Sequence, residues 1–245
     1  MQWIKGAVAT SAMTVLVGCG YEARRSGQGT DYAKYVYALY DDSCDRTAWT
    51  TSGPRFPLSV AVAEIGELAP PPELVDGLRA DTRSFRRVTA IPGISDGDFH
   101  FDPYARDSTS GSPTTPTVAS TRSALRRIER LAHDTGMDYL LLVGATVDSR
   151  TRPTPASILD LTIIGAYVVP SNDLSGQARA SAILIDVRTD QVLMTSSATA
   201  NDKTFAPSVV DQGAEDHLIR ALRDEVYQAL TKQILVDARR RASAR

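Results

Sequence analysis

Reactive residue types are scarce in this sequence. Its 245 residues include two cysteines and three histidines, and two sulfur atoms are too few for a disulfide framework. No H-E-x-x-H zinc-protease pattern occurs. The net charge is only −2, whereas nucleic-acid-binding domains present strong positive charge to phosphates. These scarcities argue against a disulfide scaffold and a nucleic-acid partner, and they identify no reaction.

A long hydrophobic run is also missing. The N-terminal apolar stretch from Gly6 to Val17 follows Lys5 and is too short for a comfortable membrane span. It ends in Leu16-Val17-Gly18-Cys19, which resembles the lipobox of bacterial lipoproteins. The resemblance implies that residues 1–18 are a signal peptide and that Cys19 carries diacylglycerol and an amide-linked palmitate-type chain. The alternative is a plain signal peptide with a chance cysteine.

The residues after Cys19 bear on location. Gly20 stands where enteric lipoproteins retained in the inner membrane have Asp. This favours an outer-membrane lipoprotein on the periplasmic side, provided the source is a diderm bacterium. We interpret residues 19–56 as a lipid-anchored tether, polar from Tyr21 to Thr30 and Tyr-rich from Asp31 to Tyr40. Cys44 is then unpaired, and it is either a small buried residue or a link to a second molecule.

One α/β domain is expected over residues 57–239. Leu58–Ile65 alternates bulky and small residues as a strand does, and the helical spacing of Glu73–Arg83 and a strand over Phe85–Ile91 follow. This order predicts a parallel pair joined by a crossover helix. The fold class is therefore α+β, with a mixed sheet whose C-terminal strands are antiparallel and with about three packing helices.

The second half of the chain completes this sheet. Met137–Ala145 is apolar on both faces, as a strand covered on both sides is, and the last helix repeats apolar residues every four positions. The expected elements are a helix over Thr121–Thr135, a central strand over Met137–Ala145, a long strand over Ser157–Val169, a hairpin of Ala178–Val187 with Gln191–Ala200, a C-terminal helix from Pro207 to about Arg239, and a basic tail over 240–245.

A long polar loop, Pro92–Thr117, holds the one candidate metal site. Asp96, Asp98, His100 and Asp102 would point to one side of an extended chain. Three carboxylates and an imidazole can hold a divalent ion. The alternative is an acidic, solvated loop without a ligand, and that is the interpretation we adopt, so no cofactor is expected.

The order of these segments resembles the rhombotarget lipoprotein family. The shared features are the lipobox, Ala38-Leu39-Tyr40 near the anchor, a DYLLLV strand, Gly165-Ala166-Tyr167-Val168-Val169-Pro170, and an IDVRT hairpin. Membership implies an envelope role beside a rhombosortase, an intramembrane protease, and brings no catalytic residues. The layout is also similar, more loosely, to periplasmic secretion and cell-wall-regulating lipoproteins.

The sequence thus favours a non-catalytic envelope lipoprotein that acts as a binding or assembly module. Its partners would be the membrane, through the lipid on Cys19, and an envelope protein or complex. The alternative is an anchored hydrolase or a metal-dependent enzyme that uses the 96–102 loop.

Overall fold

Seven strands and three helices make up the described part of the chain. The computed structural model describes residues 23–26, 54–95, 118–154, 172–206 and 211–243. The elements, in chain order, are β1 (Ala23–Ser26), β2 (Leu58–Gly66), α1 (Pro72–Ala80), β3 (Phe85–Ala90), β4 (Ile94–Ser95), α2 (Val118–Asp134), β5 (Tyr139–Pro153), β6 (Asn172–Asp186), β7 (Gln191–Ala206) and α3 (Asp211–Ser243).

The strands form a single mixed sheet in the order β3-β2-β5-β6-β7. β2 pairs in parallel with β3 on one side and with β5 on the other. β5, β6 and β7 are antiparallel and remain paired over almost their whole length. This is the expected α+β architecture, with a β-α-β unit followed by antiparallel strands.

β5 is longer than the strand that it meets. β2 pairs only with its first residues, from Tyr139 to Val143. Farther along the same edge, β1 pairs antiparallel with the outer half of β5, between Asp148 and Thr151. β4 likewise adds a short parallel pairing at the end of β2. Two short segments therefore extend the sheet beyond the β-α-β unit.

Helices cover both faces of the sheet, and each face has its own core. α2 buries Leu125 and Ile128 against Leu140, Leu142 and Ile183 on one face. On the other face, α1 and α3 pack over the opposite side chains of the same strands, including Val62, Leu141 and Leu184. Alternating side chains of β5 thus enter two different cores, which explains why its first half is apolar at every position.

α3 runs along the entire sheet. At 1.5 Å per residue its 33 residues span about 50 Å, which matches the length of β6 and β7. Gly176 of β6 lets the helix approach closely, because a Cβ there would lie 2.3 Å from Leu222 Cδ1. Gly77 of α1 does the same for α3, since its Cβ would lie 2.8 Å from Thr231 Cγ2.

Most of the expected elements are confirmed, with different ends. The parallel pair, the hairpin and the C-terminal helix are present, and Leu218, Leu222, Val226, Leu230 and Ile234 are buried as predicted. Gly136 ends α2 with φ +71°, as its left-handed position required. The strand expected over Ser157–Val169 lies outside the described residues.

Three stretches differ from their sequence interpretation. The polar stretch from Tyr21 to Thr30 contributes β1 to the sheet, because four extended residues can pair with the half of β5 that β2 leaves open. Ile94 and Ser95, expected to be loop, form β4 because the end of β2 offers unpaired backbone groups. α3 continues to Ser243, into the expected basic tail. None of the three described helices is long and apolar enough to cross a membrane.

Candidate functional site

A buried carboxylate joins the end of β2 to the middle of α3. Glu64 is the one charged residue of β2 and is 2 % exposed. Its Oε1 accepts a hydrogen bond from the Tyr227 hydroxyl and one from Arg223 Nη2 at 2.7 Å. Arg223 Nη1 reaches outward to Glu67 Oε1 at 2.8 Å. The second oxygen of Glu64, Oε2, is buried and has no hydrogen-bond partner among the described residues.

Burial sets the ionisation of this cluster. Desolvation raises the pKa of Glu64 above its ordinary value, although Tyr227 and Arg223 oppose the shift. Burial and the neighbouring Glu64 charge likewise raise the pKa of Tyr227, so its hydroxyl stays protonated and remains a donor. Burial alone would lower the pKa of Arg223, but the neighbouring Glu64 carboxylate outweighs it and raises that pKa, which keeps the guanidinium charged. The arrangement combines a fixed cation with a carboxyl whose pKa is raised by burial.

A second buried carboxylate lies near the C-terminal end of α3. Asp81, between α1 and β3, is 7 % exposed. Its Oδ2 accepts hydrogen bonds from Arg239 Nε at 3.0 Å and from Ser84 Oγ at 2.9 Å. Burial alone would raise the pKa of Asp81, but the bonds from Arg239 and Ser84 outweigh it and hold the pKa below its usual value.

Two further hydrogen bonds fasten α3 to the sheet, one near each end of the helix. The buried Ser149 hydroxyl donates to Glu215 Oε1 at 2.5 Å, near the start of the helix. Ser196 of β7 donates to Asp237 Oδ2 at 2.7 Å, near its end. α3 is therefore tied to the sheet by polar contacts along its whole length, in addition to its apolar stripe.

Exposed arginines gather at the end of the sheet where β2, β3 and β5 begin. Arg83 and Arg87 flank the start of β3, and Arg240 and Arg241 follow the Asp81–Arg239 contact on α3. We call these four residues the basic end. The carboxylates nearby already have partners, since Asp81 binds Arg239 and Asp138 lies 3.4 Å from Arg188. Within the described ranges, no carboxylate is within ion-pair distance of the basic end.

The sequence-derived site residues fall mainly outside the described residues. These are Cys19, Cys44, Asp96, Asp98, His100 and Asp102. Of the remaining histidines, His133 is on α2 and exposed, and His217 is on α3 and exposed. Among the residues that the structure describes, no group of three His, Cys, Asp or Glu could hold a metal ion.

One motif was overlooked in the sequence interpretation. Gly93-Ile94-Ser95-Asp96-Gly97 has the G-x-S-x-G spacing of a nucleophile elbow, in which a serine sits on a sharp strand-to-helix turn. The structure gives Gly93 a packing role, since a Cβ there would lie 2.0 Å from the Glu64 carbonyl oxygen and 2.2 Å from that of Glu67. Ser95 ends β4, and the residues after it lie outside the described part.

The Glu64 cluster was also missed. Its members are far apart in sequence, and only the packing of α3 on β2 brings Glu64 and Arg223 together. A signal was present, because Glu64 is the one charged residue in the strand sequence LSVAVAEIG. A charge at an inward-facing strand position requires a partner.

Comparisons with known proteins find similarity to solved structures only at a low level. No protein-family model matches the chain, and no curated protein matches it. Lipoprotein GNA1162 from Neisseria meningitidis is 16 % identical with a TM-score of 0.27, over 70 % of this chain and 99 % of its own.

Two other structures are similar to the same degree. The PelC dodecamer from Paraburkholderia phytofirmans is 15 % identical with a TM-score of 0.28, over 74 % of this chain and 94 % of its own. The LpoB C-terminal domain from Salmonella enterica is 15 % identical with a TM-score of 0.24, over 70 % and 98 %. Similarity at this level establishes no shared function.

Proposed function

We propose that this protein is a lipid-anchored, non-catalytic envelope lipoprotein that binds a partner protein on the periplasmic side of the outer membrane. The lipobox at Leu16–Cys19 motivates the anchor. The observation that carries the binding role is the basic end, where four arginines are exposed beside carboxylates that already have partners.

The construction of this end supports a docking role. Arg239 and Asp81 fix the last turns of α3 against the loop before β3, so the arginines project from rigid elements on both sides. The backbone holds these arginines on one surface, and the planar guanidinium of each can bind a carboxylate through two parallel hydrogen bonds. The partner that fits is an envelope protein with an acidic segment, because opposite charges steer the encounter and suppress wrong partners.

Site-specific photo-crosslinking in cells tests this proposal. A photoreactive amino acid at Thr82, which is exposed next to Arg83, should give a protein adduct, whereas the same amino acid at Ser123 on α2 should not. Charge reversal by Arg83→Glu with Arg240→Glu should weaken formation of the Thr82 adduct roughly tenfold. Arg126→Glu with Arg130→Glu, an equal charge change on α2, is the matched control and should leave the adduct intact.

Equal adducts from Thr82 and Ser123, or an adduct insensitive to charge reversal, would contradict a partner at the basic end. The anchor is tested separately, by the intact mass of the mature protein. An unmodified Cys19 would contradict the lipoprotein assignment whatever the crosslinking shows.

An anchored hydrolase is the second candidate, because Gly93–Gly97 has the nucleophile-elbow spacing. The contact of Gly93 with the backbone of residues 64–67 explains the first glycine without catalysis. We therefore expect no covalent labelling of Ser95 by a fluorophosphonate probe. Labelling that Ser95→Ala abolishes and Ser59→Ala preserves would favour the hydrolase.

A further inference from the structure

The position of β1 defines which end of the sheet faces the lipid anchor. β1 is antiparallel to β5, with Ser26 opposite Asp148 and Ala23 opposite Thr151. Following β1 backward from Ser26 to Ala23 therefore moves along β5 toward its last residue, Pro153. β1 lies along the long axis of the sheet, and its first residue is close to the end of that axis.

All three long strands reach this same end. Pro153 of β5 is paired with Asn172 of β6, and Asn172 is paired with Ala206 of β7. The hairpin turn at Arg188–Asp190 and the basic end lie at the opposite end of the sheet. At about 3.3 Å per residue, the fifteen or so paired residues separate the two ends by roughly 50 Å.

The chain between the anchor and β1 is short. Cys19 precedes Ala23 by four residues, and four residues span at most about 14 Å when fully extended. A lipid on Cys19 therefore holds Ala23 within about 14 Å of the bilayer surface, a distance much shorter than the sheet.

We propose that the end of the sheet formed by β1, Pro153, Asn172 and Ala206 rests on the phospholipid headgroups of the anchoring membrane, with the strands directed away from it. The proposal rests on the lipid anchor of the proposed function. Exposed residues of both signs, Arg150, Asp202 and Lys203, lie at this end. They complement headgroups that carry both a phosphate and an amine.

This orientation also specifies where the partner of the proposed function would bind. With one end of the sheet on the membrane, the basic end lies roughly 50 Å from the headgroups. The acidic partner would then be bound well inside the periplasm rather than at the membrane surface.

Fluorescence quenching in vesicles tests the orientation. The full chain, purified with its lipid and checked by intact mass, carries Cys44→Ser and one reporter cysteine, at Lys203, Thr195 or Thr189. The vesicles contain phosphatidylcholine and a phosphatidylcholine whose headgroup bears a nitroxide quencher. We expect quenching to be severalfold stronger at position 203 than at 195, and absent at 189.

The three reporters distinguish the alternatives. Thr195 is exposed and is the fifth residue of β7 counted from the hairpin, so equal quenching at 195 and 203 would show that the sheet lies flat and would overturn the proposal. Strongest quenching at 189 would overturn it by showing the reverse orientation. An unlipidated Cys19 in the mass spectrum would instead refute the anchor, which separates that failure from a wrong orientation.

A variant of β1 tests whether this strand sets the orientation. Successive N–H groups of a strand point to opposite sides, so Arg24→Pro with Arg25→Pro removes at least one hydrogen bond to β5. We expect the difference in quenching between positions 203 and 189 to collapse, with the lipid mass unchanged. Arg24→Ala with Arg25→Ala keeps the backbone donors and should retain the difference. Retention of the difference in the proline variant would overturn the role of β1.

Discussion

Only one of the two side-chain oxygens of the buried Glu64 accepts hydrogen bonds. Both hydrogen bonds from α3 reach Oε1, while Oε2 is buried without a partner among the described residues. An unpaired carboxylate oxygen is costly to bury, and a protonated carboxyl lowers that cost. Glu64 therefore links β2 to α3, and its contribution to the free energy of unfolding depends on its protonation.

Glu64→Gln should reveal this dependence. Because burial raises its folded pKa, the stabilising contribution of Glu64 is complete below its unfolded pKa, about 4.3, and is lost as pH rises through the folded value. Glutamine does not titrate. The difference in unfolding free energy between variant and wild type should thus move in favour of the variant as pH rises from about 4 to about 7.

Chemical denaturation at several pH values measures this difference. Glu67→Gln, which removes the half-exposed carboxylate bonded to the same arginine, is the matched control. A difference that moves toward the wild type with rising pH would contradict the raised pKa.

Gly176 should not tolerate a side chain. The added methyl of Gly176→Ala would meet Leu222 Cδ1 at 2.3 Å, so the fully buried Leu222 side chain or α3 itself must shift, at a cost of about 1–3 kcal/mol. Gly213→Ala, where nothing lies within 4 Å of the new atom, should instead stabilise the helix by up to about 1 kcal/mol. Urea unfolding of both variants checks the contrast, and equal effects would refute the close approach of α3.

At the scale of elements, the hydrophobic periodicity predicted whether a segment is a helix or a strand better than it predicted where that segment begins and ends. The four-residue repeat of α3 identified its buried stripe, because a helix on a sheet needs one continuous apolar face. The same repeat could not locate its end, since Arg239 is held by Asp81, a contact between residues distant in sequence. The outer parts of β5, β6 and β7 were missed because nearly every residue there is polar, so the hydrophobic alternation that predicts a strand is absent.

Leu222→Ala and Leu142→Ala test the two cores separately. Leu222 belongs to the core under α3 and Leu142 to the core under α2, and neither is more than 1 % exposed. Each truncation should cost about 2–5 kcal/mol through lost transfer energy and a cavity. Val236→Ala, at an exposed position of α3, should change the unfolding midpoint little. An unchanged midpoint for Leu222→Ala would mean that α3 is not docked.

At the scale of the whole molecule, the sequence was sufficient for the fold class but not for the site. Hydrophobic alternation and helix spacing are local, so the α+β order could be predicted. The Glu64 cluster and the basic end depend on which elements lie side by side, because Arg223 meets a strand more than a hundred residues earlier. A single sequence does not encode that pairing in any local pattern.

The interpretation of the Pro92–Thr117 loop as free of metal can be tested on the full-length protein. If Asp96, Asp98, His100 and Asp102 are solvated, as we interpret them, Ca²⁺, Mg²⁺ and Zn²⁺ should leave the melting temperature unchanged. A metal that binds the folded state at a hundredfold excess over Kd would stabilise it by about 2.7 kcal/mol. A saturable shift that fades below about pH 6 and is abolished by His100→Ala would contradict this interpretation.

The wide sequence gap between β1 and β5 has a consequence for the order of folding. β5, β6, β7 and α3 each contact at least one element that is adjacent in the chain, whereas β1 must close a loop of more than a hundred residues. Closing such a loop costs entropy that only four residues of pairing repay. β1 should therefore be the last strand to join the sheet, and its amides the last to gain protection in pulse-labelled hydrogen exchange. Until β1 pairs, the whole segment from Cys19 to Leu58 would separate the folded domain from its lipid anchor. The pairing of β1 would then bring the domain to the bilayer surface.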